Sequence, residues 1–288
     1  MKVLATRRLP GPAWDELGAV EVGATDEPRP GIEVVIVTNE PVDVGLFPAL
    51  RLVANYGVGY DRIDLDACRA RGIAVTNTPG VLDAATADLA FALILAARRG
   101  VVSGDRLVRS GGWESHWAAA ASLGREVSGT TLGIVGLGRI GSAVARRAQG
   151  FEMRVLHVRR AEGDLDELLR ASDIVSLHVP LTADTQGLIN RERLSLLRDG
   201  TTLVNTARGA VVDEEALVDE LVSGRITAGL DVFVHEPHVP EALWGLPNVV
   251  LTPHIASATV ETRAAMTRIM VDNVLAFARG EPLPNRVL

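Results

Sequence analysis

Short apolar runs, separated by turn residues or by segments of helical spacing, organise the first part of the chain. We predict strands at residues 3–6, 33–37, 52–56 and 74–77. Residues 64–71 have helical spacing and stop at Gly72, which is a typical end for a helix. Because the apolar strands are joined by helical or loop crossovers, the pattern predicts a small parallel sheet.

The middle of the chain carries a glycine motif between a predicted strand and a predicted helix. Residues 131–135 have strand character, and G-x-G-x-x-G follows at Gly136, Gly138 and Gly141. The first glycine permits a tight turn, the second lets a pyrophosphate approach the backbone, and the third lets the helix pack closely on the strand. A further strand is predicted at residues 153–158. In this context the motif predicts a dinucleotide-binding site, and a glycine turn without a ligand is the alternative.

Strands and helices alternate after the glycine motif. We predict strands at residues 174–177, 202–205, 229–232 and 249–251, with helices near residues 164–170, 191–197 and 213–223. A terminal helix at residues 259–280 is long enough to cross back to the first sheet. We therefore predict two doubly wound parallel-sheet α/β domains, with a Rossmann dinucleotide-binding domain inserted into a smaller, flavodoxin-like substrate domain. The predicted boundaries are residues 1–79 and 258–288 for the substrate domain and 80–257 for the dinucleotide-binding domain.

One predicted helix, Asp83–Arg99, is apolar nearly all round. Such a helix is buried either in a domain core or in a subunit interface. Because Trp113 and Trp117 lie just beyond it, we predict a two-fold homodimer formed through the dinucleotide-binding domain.

The composition of the 288 residues excludes several classes of protein. Cys68 is the single cysteine, which excludes a disulfide framework and a cysteine-rich metal site, and no metal is predicted. The net charge of −7 argues against a nucleic-acid partner. The longest apolar run, residues 89–97, is far shorter than the roughly 20 residues that span a bilayer, so no membrane partner is expected. Lys2 is the sole lysine, which excludes lysine-based catalysis. No basic segment followed by an apolar one opens the sequence, so we expect a cytoplasmic protein.

Three ionisable residues lie in loops that follow apolar strands of the second domain: Arg208, Glu236 and His254. Ligands of open α/β sheets bind at this end of the strands. Arg208 offers a planar donor pair suited to a carboxylate. Glu236 and His254 could form an acid–base pair, because a neighbouring carboxylate favours the protonated imidazole. Spacing alone leaves open a solvated arginine, a surface glutamate and a histidine bonded to backbone.

The strand after the glycine motif ends in Arg159 and Arg160, and Arg159 lies 18 residues beyond Gly141. An NAD site places a carboxylate here to accept hydrogen bonds from the ribose 2′-OH. Two guanidiniums instead suit the 2′-phosphate of NADP, so we predict that NADP(H) is preferred and NAD(H) possible. The alternatives are that both arginines are solvated, or that Glu162 or Asp164 folds back onto the ribose.

Taken in order, several motifs together resemble the D-isomer-specific 2-hydroxyacid dehydrogenase family over essentially the whole chain. These motifs are G-V-G-Y-D at residues 57–61, N-T-P-G at 77–80, the glycine motif, H-V-P-L-T at 178–182, N-T-A-R-G at 205–209, residues 231–237 and P-H-I-A at 253–256. Residues 111–113 and the paired arginines are most similar to the glyoxylate/hydroxypyruvate reductase branch. The resemblance implies reduction of a small 2-oxo acid, such as glyoxylate or hydroxypyruvate, to the D-2-hydroxy acid by NAD(P)H.

The resemblance also implies roles for individual residues. Arg208 binds the substrate carboxylate and carbonyl oxygen, His254 donates the proton, and Glu236 orients His254. Backbone N–H groups of Val58 and Gly59 complete the carboxylate site. Trp117 is the candidate for a contact with a neighbouring subunit's substrate. Besides the three glycines, Arg159 and Arg160, the implied cofactor contacts are Thr86, Arg139, Ile140, Val179, Pro180, Thr206, Ala207, Asp231 and Ser257.

Two other functions remain open at this point. One is a cofactor-sensing binding protein, like the corepressors that share this fold, although no extra peptide-binding segment is visible. The other is an oxidoreductase for formate or phosphonate, whose phosphonate version uses a lysine near residues 57–61 that this chain lacks.

Overall fold

A computed structural model describes residues 1–38, 40–114, 123–159 and 162–288. The chain forms two compact units. The first consists of Met1–Leu82 together with Ser257–Leu288, and the second of Asp83–Ala256. Each unit is built on one parallel sheet with helices, which confirms the predicted fold class.

The first unit has five parallel strands in the order β2-β1-β3-β4-β5. The strands are β1 (Val3–Ala5), β2 (Val20–Val22), β3 (Val34–Val37), β4 (Leu52–Asn55) and β5 (Ala74–Thr76). All residues of β3 and β4 are buried, as expected for interior strands covered on both faces. The edge strand β2 was not predicted, because its Val-Glu-Val sequence is too short and too exposed to give an apolar signal.

Helices α1 (Leu65–Ala70) and α8 (Val260–Arg279) belong to the same unit. The C-terminal helix α8 is held to earlier parts of the unit by buried polar contacts. The Tyr56 hydroxyl donates to the carbonyl of Arg263 at 2.8 Å, and the Thr267 hydroxyl donates to the carbonyl of Pro10 at 2.6 Å. The last segment of the chain therefore completes the unit that the first segment begins.

The second unit has six parallel strands in the order β11-β10-β9-β8-β6-β7. These are β6 (Thr131–Val135), β7 (Arg154–Val158), β8 (Ile174–Leu177), β9 (Thr202–Asn205), β10 (Thr227–Leu230) and β11 (Val249–Leu251). The helices are α2 (Asp83–Arg99), α3 (Val101–Arg109), α4 (Arg139–Gln149), α5 (Leu165–Ala171), α6 (Arg191–Ser195) and α7 (Glu214–Val222). From β6 the chain adds β7 on one side and β8 on the other. The order of the strands thus reverses between β6 and β8, which is where α/β sheets bind ligands.

Helix α2 is a core helix of the second unit. It packs against β9, β10 and α4, and its Phe91 ring stacks on Phe151 with ring centroids 5.3 Å apart. A Cβ on Gly229 would lie 2.7 Å from the Cβ of Leu93, so the glycine allows the helix to approach the sheet closely. The sequence left open burial of this apolar helix in a domain core or in a subunit interface, and the core of the second unit accounts for most of its apolar surface. No helix within the described ranges is long and apolar enough to cross a membrane.

In the second unit one helix was missed and one predicted strand boundary needs correction. Helix α3 was not predicted, and none of its residues is buried. Strand β10 begins at Thr227, two residues before the predicted start, since the Thr227 hydroxyl bonds to that of Thr202 at 2.7 Å and pairing with β9 begins there. Asp231 consequently lies just after the strand, at the ligand-binding end of the sheet.

Candidate active site

The glycine motif forms a tight turn between β6 and α4. Gly136 has a φ of +98°, and a Cβ there would lie 2.7 Å from the carbonyl oxygen of His178. A Cβ on Gly141 would lie 2.2 Å from the carbonyl oxygen of Gly136, so only glycine allows this close packing of helix on strand. Gly138 faces open space and begins α4 without a side-chain cap, which leaves the first N–H groups of the helix available to a phosphate.

The residues around this turn fit a bound dinucleotide. Arg139 and Ile140 form the first turn of α4, and Val179 and Pro180 follow β8 on the other side of the strand-order reversal. Thr206 follows β9, and its buried hydroxyl has no hydrogen-bond partner among the residues that the structure describes. A buried polar atom without a partner is costly unless a ligand or water supplies one. Two further predicted cofactor contacts lie elsewhere. Thr86 is buried in α2 of the second unit, and Ser257 belongs to the first unit.

Arg159 lies at the end of β7 with its side chain exposed. Its backbone forms two hydrogen bonds with Glu162, each 3.0 Å long, which fix the end of the strand. The carboxylate of Asp164 accepts the N–H of Glu167 at 3.0 Å and caps α5. Asp164 therefore has a structural role, and Glu162 is the remaining carboxylate near this strand end. Arg160 lies outside the described residues.

Arg208 lies in a loop that is shaped by Asn205, the buried last residue of β9. The Asn205 amide donates to the carbonyl of Arg208 at 2.9 Å, and its oxygen accepts the N–H of Ala207 at 3.0 Å. A Cβ on Gly209 would lie 2.1 Å from the carbonyl carbon of Phe233. The Arg208 loop is thus packed directly against the loop that carries Glu236.

Glu236 and His254 form the pair that the sequence suggested. His254 Nδ1 and Glu236 Oε2 are 2.8 Å apart, and the other carboxylate oxygen accepts the N–H of Phe233 at 3.1 Å. An ionised carboxylate makes Nδ1 the protonated nitrogen, which leaves Nε2 as the ring atom that can exchange a proton with a substrate. The Glu214 carboxylate accepts the N–H of Val234 at 2.9 Å and further fixes this loop.

Asp231 holds the loop that presents His254. Its fully buried carboxylate accepts hydrogen bonds from the Thr252 hydroxyl at 2.6 Å and from the N–H groups of Ile255 and Ala256 at 2.8 and 2.9 Å. His254 has a φ of +53°, a conformation that non-glycine residues adopt only when the surroundings enforce it. Burial raises the pKa of Asp231, although its three donors act in the opposite direction. The contacts of Asp231 are therefore structural, and its predicted contact with the cofactor stays a prediction.

In the first unit, residues 57–59 follow β4 and form a loop whose carbonyl groups are all bonded. Asn55 donates to the carbonyls of Gly57 and Gly59 at 3.1 and 2.8 Å, and Asn77 donates to that of Val58 at 2.9 Å. Within the described residues, the N–H groups of Val58 and Gly59 donate to no protein acceptor. This arrangement suits an anion, and the binding of the substrate carboxylate by these two residues stays a prediction.

One prediction cannot be followed in the structure, because Trp117 lies outside the described residues. Among the residues that are described, no group of three His, Cys, Asp or Glu side chains could hold a metal ion.

Comparison with known proteins identifies the family. Residues 91–256 match the model of the D-isomer specific 2-hydroxyacid dehydrogenase NAD-binding domain. The chain belongs to this family. It is 50% identical over 273 residues to the glyoxylate reductase of Pyrococcus horikoshii, and the match covers 88% of this chain and 82% of that protein. It is 51% identical over 271 residues to the glyoxylate reductase of Korarchaeum cryptofilum, and this match covers 88% of this chain and 82% of that protein.

Solved structures of the family have the same fold. The TT0316 protein from Thermus thermophilus superposes with a TM-score of 0.92 at 45% identity, and all of both chains is covered. A second structure is the NADPH-dependent glyoxylate/hydroxypyruvate reductase of Sinorhizobium meliloti in complex with NADP and malonate. It superposes with a TM-score of 0.86 at 36% identity, and the match covers 99% of this chain and 96% of that chain. As a dehydrogenase of this family, the protein is an oxidoreductase that uses a nicotinamide dinucleotide to reduce 2-oxo acids. These predictions are confirmed.

Proposed function

We propose that this dehydrogenase reduces glyoxylate or a hydroxypyruvate-like 2-oxo acid to the D-2-hydroxy acid, with Arg208, Glu236 and His254 as its catalytic residues. The observation that carries the proposal is the 2.8 Å contact between His254 Nδ1 and Glu236 Oε2, on a loop packed against that of Arg208. The glyoxylate reductases at about half identity support this choice of substrate.

Each residue has a defined task in the proposed reaction. The Arg208 guanidinium binds the carboxylate and polarises the carbonyl oxygen at C2. Protonated His254 donates from Nε2 to that oxygen as C2 becomes tetrahedral. Glu236 keeps the imidazole in the orientation that directs Nε2 outward, and it stabilises the imidazolium before transfer. The N–H groups of Val58 and Gly59 bind the carboxylate as well. The hydride that C2 receives comes from the bound nicotinamide dinucleotide.

Turnover of a panel of small 2-oxo acids tests this proposal. NADPH oxidation should be rapid with glyoxylate or hydroxypyruvate, and His254→Ala should lower kcat by about 100-fold or more while NADPH still binds. A protein that binds NADPH but oxidises it with none of the acids would favour a cofactor-sensing function.

We further propose a preference for NADPH over NADH of about tenfold in kcat/KM, or about 1.4 kcal/mol. The exposed Arg159 guanidinium supports this, because it lies at the end of β7 where a 2′-phosphate would sit. Asp164 is engaged in capping α5, so Glu162 is the one left of the two carboxylates that could compete for the ribose.

The charge at position 159 can be tested with a matched control. Arg159→Asp should shift the preference toward NADH, whereas Arg154→Asp, at the opposite end of the same strand, should not. Added salt should weaken the binding of NADPH more than that of NADH. Equal or better use of NADH by the unmodified protein would contradict the assignment.

We also propose a homodimer in the cytoplasm. Exposed apolar side chains of Val101, Val108 and Trp113 support a subunit interface in the second unit, since each is more than half exposed. The single, buried Cys68 fits a reducing compartment. A monomer in sedimentation at micromolar concentration would contradict the dimer.

A further inference from the structure

Two asparagines of the first unit, Asn55 and Asn77, donate from their side-chain amides to backbone carbonyls of the loop at residues 57–59. Asn55 is the last residue of β4 and is 4% exposed. Its amide donates to the carbonyls of Gly57 and Gly59, while Asn77, just after β5, donates to the carbonyl of Val58. The N–H of Thr78 also donates to the carbonyl of Gly57, at 3.0 Å.

These bonds fix the direction of the neighbouring N–H groups. In a planar trans peptide, the N–H of one residue points opposite to the C=O of the residue before it. Because the carbonyl of Gly57 is directed toward Asn55 and Thr78, the N–H of Val58 points away from them. The carbonyl of Val58 is likewise directed toward Asn77, so the N–H of Gly59 points away from Asn77.

We propose that Asn55 and Asn77 are positioning residues for the substrate carboxylate, acting through the N–H groups of Val58 and Gly59. The inference rests on the proposed function, in which these two N–H groups bind the carboxylate. Neither asparagine touches the substrate. Their amides set in advance the orientation of two donors that would otherwise have to be ordered on binding, and preorganised donors bind more tightly.

The same kind of contact occurs where no substrate is bound, and this provides a matched control. Asn248 precedes β11 and donates to the carbonyls of Leu221 and Ile226, each at 2.9 Å. It lies at the amino end of the second sheet, opposite to the loops of the proposed active site. Its replacement by alanine removes two bonds of the same kind, from a side-chain amide to backbone carbonyls, and should affect stability without affecting carboxylate binding.

The experiment measures inhibition by oxamate, a carboxylate that mimics the substrate without being reduced, in the presence of NADPH. We expect Asn55→Ala and Asn77→Ala each to raise the inhibition constant by about tenfold. With glyoxylate, the KM should rise far more than kcat falls, because the lost interaction binds substrate and transition state alike. Asn248→Ala should leave the inhibition constant within about threefold of wild type, and all variants should bind NADPH.

Two results would overturn the inference. One is an unchanged oxamate constant in a variant that still binds NADPH. The other is an equal rise in Asn248→Ala, which would show general loosening instead of positioning. If the buried Asn55 variant does not fold, Asn77→Ala decides the question alone. Failure of the proposed function is distinguished by the unmodified protein: if it neither reduces glyoxylate nor binds oxamate, that function is wrong and the inference falls with it.

Discussion

Replacing Gly209 with alanine should separate the loops that carry Arg208 and Glu236. The added Cβ would lie 2.1 Å from the carbonyl carbon of Phe233 and 2.4 Å from the nitrogen of Val234. Both are backbone atoms, so no side-chain rotation can relieve the clash. To reach the ordinary contact distance of 3.4 Å, the two loops must move apart by about 1.3 Å.

This movement acts on the proposed acid–base pair. The N–H of Phe233 donates to the Glu236 carboxylate, which in turn contacts His254. A displacement of about 1 Å in a catalytic group lowers rates by about 100-fold, so we expect kcat/KM for glyoxylate to fall by that factor. The overpacked loop should also destabilise the fold by about 1–3 kcal/mol.

The assay compares kcat/KM at a temperature well below the unfolding transition, with active protein counted by NADPH binding. Gly245→Ala is the control, because a Cβ there meets nothing within 4 Å and the backbone is not left-handed. That variant should have the activity of wild type. If Gly209→Ala retained wild-type kcat/KM, the close packing of the two loops would not position the catalytic residues, and the reasoning would be wrong.

Two further predictions concern other ionisable groups. Glu236→Gln should lower kcat by about 10- to 100-fold with little change in NADPH affinity, because the neutral amide no longer stabilises the imidazolium that donates the proton; an unchanged kcat would remove Glu236 from this role. Burial lowers the pKa of His178 from 6.5 to about 4, so between pH 6.5 and about pH 4 the unfolded chain binds a proton that the folded protein does not. Stability should therefore fall as the pH drops through this range, by up to about 1.4 kcal/mol per pH unit. Measured by urea unfolding, His178→Gln should lose less stability over this pH range than wild type. His157→Gln, which changes an exposed histidine, should lose as much stability as wild type.

The sequence alone determined the two sheets and most of their strands. Interior parallel strands are covered on both faces, so they appear as short runs rich in apolar and β-branched residues. Ile174–Leu177 and Thr202–Asn205 were predicted at their observed bounds. The edge strand Val20–Val22 carries no such signal, because one side of it has no neighbouring strand and its residues stay exposed.

The ionisable residues of the candidate site could also be found in the sequence. Arg208, Glu236 and His254 each follow an apolar strand, and parallel strands place such loops at one edge of the sheet. Their roles came from the resemblance to the family and not from spacing. That Glu236 faces His254 at 2.8 Å is a property of the folded loops.

Only the tertiary structure showed what holds these loops in place. Asp231 accepts N–H groups from residues more than 20 positions later, and Asn77 binds a carbonyl 19 positions earlier. Hydrophobic periodicity can be detected in the sequence, because it depends on the polarity of each side chain and of its neighbours along the chain. A hydrogen bond from a side chain to distant backbone depends instead on which strands are adjacent and on the conformation of the loops that follow them. Both are defined only in the folded sheet.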